Sequence, residues 1–138
     1  MSAYNVVELG GLDSWMDADG QTPGKRFVDK QMPPQYIGTS ANAAAPGAQS
    51  AFWHSHDRLE EVYVFLAGRG QMALDDDVVD VQAGTVVRVG QGVMRAWHAL
   101  PDSPEALRWL CIRSGGDTLE AIGRDGALDR ERPFPWAR

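Results

Sequence analysis

The sequence predicts an all-β fold, a sandwich or a closed barrel. Three features carry this expectation. Short apolar runs rich in Val, Tyr, Phe and Thr recur at roughly ten-residue spacing, as half-buried pleated surfaces favour. The 15 glycines and 8 prolines fall mainly as punctuation between those runs. Only one short stretch, after Asp117, carries helix signals. The result is about six to eight short strands joined by tight turns, and a closed antiparallel barrel of that kind can hold one small ligand.

The elements follow in order. Residues 25–38 and 48–54 are candidate strands, and the small-residue stretch ANAAAPGAQS (41–50), which runs into the second, reads as a loop or the frayed start of a strand. EVYVFL (61–66) is a strand closed by AGRG. QMAL (71–74) runs into Asp75-Asp76-Asp77, a polar hairpin tip without the glycine and distal glutamate of a calcium loop. VVDVQ (78–82) stops at Ala83-Gly84, TVVRV (85–89) at Gly90-Gln91-Gly92, and residues 93–100 at PDSPE. ALRWLCIR (106–113) is the last clear strand. Asp117 then caps a short helical turn over 119–122, stopped by Gly123. The tail RPFPWAR has two prolines, which exclude regular helix and central strand. It leaves Phe134 and Trp136 to pack on the body of the protein or on a partner subunit.

A chain of 138 residues is long enough for one domain with its own core, here 1–138 with the barrel at about 25–115. The formal net charge is -6 and the 13 basic residues are scattered, which argues against binding a phosphate backbone. No apolar run approaches the roughly 18 residues of a membrane span. The N-terminus lacks the basic and apolar regions of a secretory signal, so a cytoplasmic protein is expected. The single cysteine, Cys111, cannot form an internal disulfide and reads as a small buried hydrophobe.

The stretch FWHSHDRLEEVYVF (52–65) holds two of the three histidines. Residues two apart on a strand share a face, so His54 and His56 point the same way. Asp57-Arg58-Leu59 reads as a turn, after which a carboxylate from the Glu60-Glu61 doublet meets the pair. Two imidazoles and a carboxylate on one side of an ion leave positions open for substrate, the logic of a facial triad or a catalytic zinc site. A bare HxH also occurs as two solvated histidines, and it is the glutamates and the strand-turn pattern that favour the metal reading.

HSHDRLEEVYVFLAG resembles the first motif of the cupin superfamily, G-x5-HxH-x3,4-E-x6-G. His54 and His56 match its histidines, Glu61 its glutamate and Gly68 its closing glycine; Gly47, the opening glycine, is one residue too far away. Glu60 fits the spacing from His56 but misses Gly68, and so reads as a solvated flank. The second motif, G-x5-PxG-x2-H-x3-N, matches in frame at Gly84 and Gly92. It departs where Gly90 replaces the proline, Arg95 the histidine and Ala99 the asparagine. The resemblance spans roughly residues 35–113. It implies a double-stranded β-helix, or jelly-roll barrel, and a homodimer paired through N-terminal strands, to which YNVVEL and the aromatic tail can contribute.

Arg95 stands where the family's further ligand sits, and a guanidinium offers no lone pair. Either the metal keeps three protein ligands and Arg95 holds an anionic group of the substrate, or its charge repels a metal and the barrel binds an organic ligand alone. His98 is a candidate fourth ligand. On a regular strand it faces away from Arg95, and a β-bulge nearby would turn it inward. Tyr63 shares Glu61's parity and is a candidate substrate-binding residue beside its packing role; Trp97 is a candidate cavity wall. Arg88 points to solvent. No serine elbow, Walker loop or dinucleotide fingerprint is present.

The expected function is therefore a cupin holding Zn, Fe, Mn or Ni at His54, His56 and Glu61, and binding or transforming a small, anionic organic molecule. Oxygenase, isomerase and decarboxylase chemistry all fit such a site. The alternative is a non-catalytic small-molecule-binding or sensor barrel, with or without metal.

Overall fold

The computed structural model of the chain describes residues 3–17 and 24–136; the last two residues of the expected aromatic tail lie outside them. Ten strands form two five-stranded sheets. They are β1 (Lys25–Phe27), β2 (Gly38–Ala44), β3 (Trp53–His56), β4 (Glu60–Ala67) and β5 (Arg69–Leu74). Then come β6 (Asp77–Gln82), β7 (Val86–Val89), β8 (Arg95–Ala99), β9 (Leu107–Ser114) and β10 (Gly126–Asp129). The one α-helical turn, α1 (Leu119–Ile122), sits where expected, capped by the Thr118 hydroxyl rather than by Asp117.

One sheet runs β1-β2-β9-β4-β7 and the other β10-β3-β8-β5-β6, with antiparallel pairing throughout the described residues. The chain winds between the sheets: β3 and β4, joined by a three-residue turn, fall in opposite ones. This is the expected double-stranded β-helix. Among the described residues, no helix is long and apolar enough to cross a membrane.

Two elements differ from expectation. The strand expected over 25–38 breaks into β1, a 3-10 turn at Val28–Lys30 and a non-strand stretch containing Pro33 and Pro34, which cannot donate to a ladder. The small-residue stretch 41–50, read as a loop or the frayed start of a strand, divides: its first four residues complete β2, which pairs with β9 over seven residues, and the rest is outside any strand. Its outward Ala41 and Ala43 let Trp15 lie close against the sheet, so tertiary packing overrides weak strand propensity.

Alternation on β4 buries Glu61, Tyr63, Phe65 and Ala67. Phe65, Met72, Val81, Val89, Leu107 and Trp109 fill the space between the sheets. Burying each such side chain contributes about 1.5–3 kcal/mol. Gly68 closes β4 with φ +79°, and a Cβ there would lie 2.5 Å from the Ala106 carbonyl oxygen, so only glycine fits. The tail packs on its own body: Phe134 stacks on Trp53 at 5.9 Å and Trp136 on His98 at 4.1 Å. This covers the outer face of the second sheet and holds β3 against β8.

Candidate metal centre and cavity

β3 and β4 bring His54, His56 and Glu61 together. Their potential ligand atoms all lie within 4.8 Å of one another. His54 Nε2 is 3.7 Å from Glu61 Oε1, and His56 Nε2 is 3.8 Å from Glu61 Oε2. The rings stand edge to face with centroids 5.3 Å apart. Same-face spacing on β3 and the tight crossover to β4 produce this arrangement, as the residue pattern predicts.

Asp125, which no sequence signal marked, fixes the geometry from outside. Its Oδ1 lies 2.7 Å from His56 Nδ1, while its Oδ2 accepts from the backbone N–H groups of Arg58 and Leu59 at 2.7 and 2.8 Å. One carboxylate thus ties the crossover turn to a histidine ring. Burial opposes ionisation of Asp125, but those two N–H groups and His56 outweigh it and hold the carboxyl below its ordinary range. An ionised Asp125 takes the proton of His56 on Nδ1 and leaves the Nε2 lone pair facing Glu61.

Glu61 is 5% exposed. Burial would raise its pKa, yet contact with His54 and the Arg95 charge hold it well below the usual carboxylate range. The Tyr63 hydroxyl donates to Oε1 at 3.0 Å and the Cys111 thiol to Oε2 at 3.2 Å. Burial pushes both the Tyr63 phenol and the Cys111 thiol up, so each stays a protonated donor. Burial pushes the His54 imidazole down and keeps it neutral at neutral pH.

The other candidates divide. Trp97 lines the cavity and meets Trp109 at 4.8 Å. Tyr63 also lines it, its hydroxyl engaged by Glu61. Arg95 comes to the site, its Nε 3.6 Å from Glu61 Oε1, but it is 0% exposed and lies in the wall behind that carboxylate. Its charge acts on Glu61, and its Nε and Nη2 are buried without a hydrogen-bond partner. The expectation for His98 is corrected. β8 is regular, so His98 faces the outer side, where its Nε2 meets Gln71 Oε1 at 2.8 Å under Trp136. Glu60 and Arg88 pair on the outside, as their parity predicts.

The cavity has a volume of about 420 Å³. His54, Glu61, Tyr63, Trp97, Trp109 and Cys111 form its inner part. Lys25, Phe27, Ala51 and Phe52 also line it, Phe27 and Ala51 being exposed.

The donor set fits a divalent metal. It comprises a neutral imidazole, a second imidazole with Nε2 directed inward, and an ionised carboxylate. Two ligands about 2.1 Å from a tetrahedral ion sit roughly 3.4 Å apart, close to the separations between Glu61 and each histidine. Arg95 offers no lone pair, so these three would be the protein donors to an ion held there.

The comparisons agree with the fold. A family model described as a cupin domain matches residues 43–113, and the chain belongs to that family. Among solved structures, a cupin protein from Bacteroides fragilis is similar with 25% identity, covering 84% of this chain and 87% of that one, at a TM-score of 0.69. An uncharacterised protein with a double-stranded β-helix domain from Klebsiella pneumoniae shares 15% identity over 90% and 98% of the two chains, at 0.64. A predicted oxalate decarboxylase from Thermotoga maritima shares 20% identity over 63% and 73%, at 0.54. Among curated proteins none matches this chain in sequence.

Proposed function

We propose that the protein is a metal-dependent cupin that binds and transforms a small organic anion. His54, His56 and Glu61 would hold one Zn, Fe, Mn or Ni ion. The observation that carries this reading is the convergence of His54, His56 and Glu61, with His54 and Glu61 lining an aromatic-walled cavity. When bound, the ion supplies Lewis-acid polarisation of a substrate oxygen. Decarboxylation, isomerisation and dioxygenation all draw on an ion with open positions, and one fold neighbour is named as a predicted oxalate decarboxylase.

The chain's own residues prepare that centre. Tyr63 and Cys111 each donate to one oxygen of Glu61 and so orient the carboxylate. Asp125 sets the His56 tautomer. Trp97 and Trp109 wall the inner cavity against water. Arg95 and Glu61 cancel in charge, so a bound divalent ion, together with Lys25 in the lining, would leave the cavity as a whole positive and favour an anionic ligand.

Elemental analysis after loading with each metal tests the reading. About one ion per wild-type chain is expected, with loss in His54→Ala and His56→Ala. A folded wild-type protein that retains none of the four metals refutes it.

A further inference from the structure

We propose that the cavity takes an aromatic carboxylate, and that Lys25 holds its acid group. This rests on the reading above that the cavity binds an organic anion, and it moves the anion-contacting role from the enclosed Arg95 to a residue on the opposite wall.

Strand register places Lys25. Lys25 pairs with Asn42, Asn42 with Trp109 and Trp109 with Phe65, one row across the first sheet. Phe65 and Trp109 of that row are buried in the core, Asn42 and Trp109 line the cavity, and Lys25 lines it from the edge strand β1. The chain is acidic overall, at -6, yet this edge gathers cations. The Nζ atoms of Lys25 and Lys30 lie 5.0 and 5.6 Å from the Phe27 ring centroid, and the Arg113 guanidinium lies 5.6 Å from it. Arg113 is neutralised by Asp29 at 2.9 Å. Among the described residues no carboxylate pairs with Lys25, the member of this group that lines the cavity.

The walls between Lys25 and the metal donors are aromatic. Five of the twelve aromatic residues, Phe27, Phe52, Tyr63, Trp97 and Trp109, line this one cavity. Flat faces and edges around a slot select a planar ring over a flexible chain, because ring contacts add to area burial and a rigid ligand loses less rotamer freedom. A ring lying against Trp97 and Trp109 directs one edge to His54 and Glu61 and the other to Lys25. The acid group at Lys25 then leaves the inner edge of the ring free to meet the metal centre.

Calorimetric titration of the full chain tests this with three probes: 2-naphthoate, hexanoate and 2-naphthamide. Each is titrated into Zn-loaded and metal-free protein. 2-Naphthoate is expected to bind about tenfold tighter than hexanoate. Lys25→Gln is expected to weaken 2-naphthoate about fivefold, leave 2-naphthamide unchanged, and be rescued by Lys25→Arg. Metal-free protein should keep 2-naphthoate affinity within a few fold. Equal affinities for 2-naphthoate and hexanoate overturn the ring preference. An unaltered affinity in Lys25→Gln, or 2-naphthoate binding that requires zinc, overturns the role of Lys25 and leaves the metal reading intact. Binding of 2-naphthoate by protein that takes up no metal sustains Lys25 and refutes the metal centre instead.

Discussion

Asp125→Asn is the most discriminating change to the candidate metal centre, because it alters hydrogen-bond polarity without altering shape. In the native site both Asp125 oxygens accept: one from His56 Nδ1 at 2.7 Å, the other from the Arg58 and Leu59 N–H groups at 2.7 and 2.8 Å. An asparagine has one acceptor oxygen and one donor NH2. If the oxygen faces His56, the NH2 confronts two backbone N–H donors. If the oxygen faces the backbone, the NH2 donates to Nδ1, and the imidazole proton moves to Nε2, the atom that must bind metal. The first arrangement strands donors at a cost of about 1–3 kcal/mol each, whereas the second keeps the turn intact. The second therefore prevails, and the damage falls on the ligand rather than on the fold.

Two measurements separate these outcomes. Nitrogen-15 NMR of metal-free protein should show His56 protonated at Nδ1 in wild type and at Nε2 in Asp125→Asn. Zinc affinity should fall about 10–100-fold, as loss of such an outer partner does elsewhere, with the melting temperature nearly retained. Asp125→Ala should cost stability as well, since the turn then loses both acceptors. Wild-type zinc affinity in Asp125→Asn, with the tautomer unchanged, refutes the positioning role.

Two further predictions concern the same pocket. Arg95→Met leaves Glu61 buried without its cation and should destabilise the protein by about 3–5 kcal/mol, read by chemical denaturation, while Arg95→His should bind zinc more tightly than wild type by removing a charge and adding a lone pair. Acid should weaken the metal-free protein: His54 and Glu61 both have folded pKa values below their unfolded ones, so their stabilisation is present at neutral pH. That of His54 is lost as pH falls below about 6.5, and that of Glu61 below about 4.5, which denaturation midpoints between pH 8 and 3 would track.

Much of this centre was legible in the residues because strand geometry is simple. A period of two puts His54 and His56 on one face, and a three-residue turn brings Glu61 back beside them. The same period puts Glu60 and Glu61 on opposite faces, but both faces of the strand are apolar, so the metal argument and not the period turns Glu61 inward; Glu60 pairs with Arg88 outside. The period also places His98 outside, which the residues alone left open because a bulge would have inverted it. What stayed hidden depends on long-range contacts. Asp125 approaches His56 from 69 positions along the chain, on a loop leading into β10, whose GALD sequence lacks the β-branched residues that mark a strand. β2 is likewise built from small residues that only its partners make into a strand.

Arg95 shows where residue type misleads. A cation at a ligand position suggests an anion-binding contact, and sequence cannot tell a side chain that lines a cavity from one sealed in its wall. Burial resolves it, since register puts Arg95 on the same face as His54 while its side chain is fully enclosed. Arg95 pairs with His54 across β8 and β3, and its guanidinium lies behind Glu61. There it holds the carboxylate ionised without competing for an ion's open positions. A histidine at the same place would donate a lone pair and saturate the centre further. With arginine there, the candidate donors number three, an ion held by them would keep more of its coordination sphere for a ligand, and the proposed contact with the ligand's acid group falls to Lys25 on the edge strand β1.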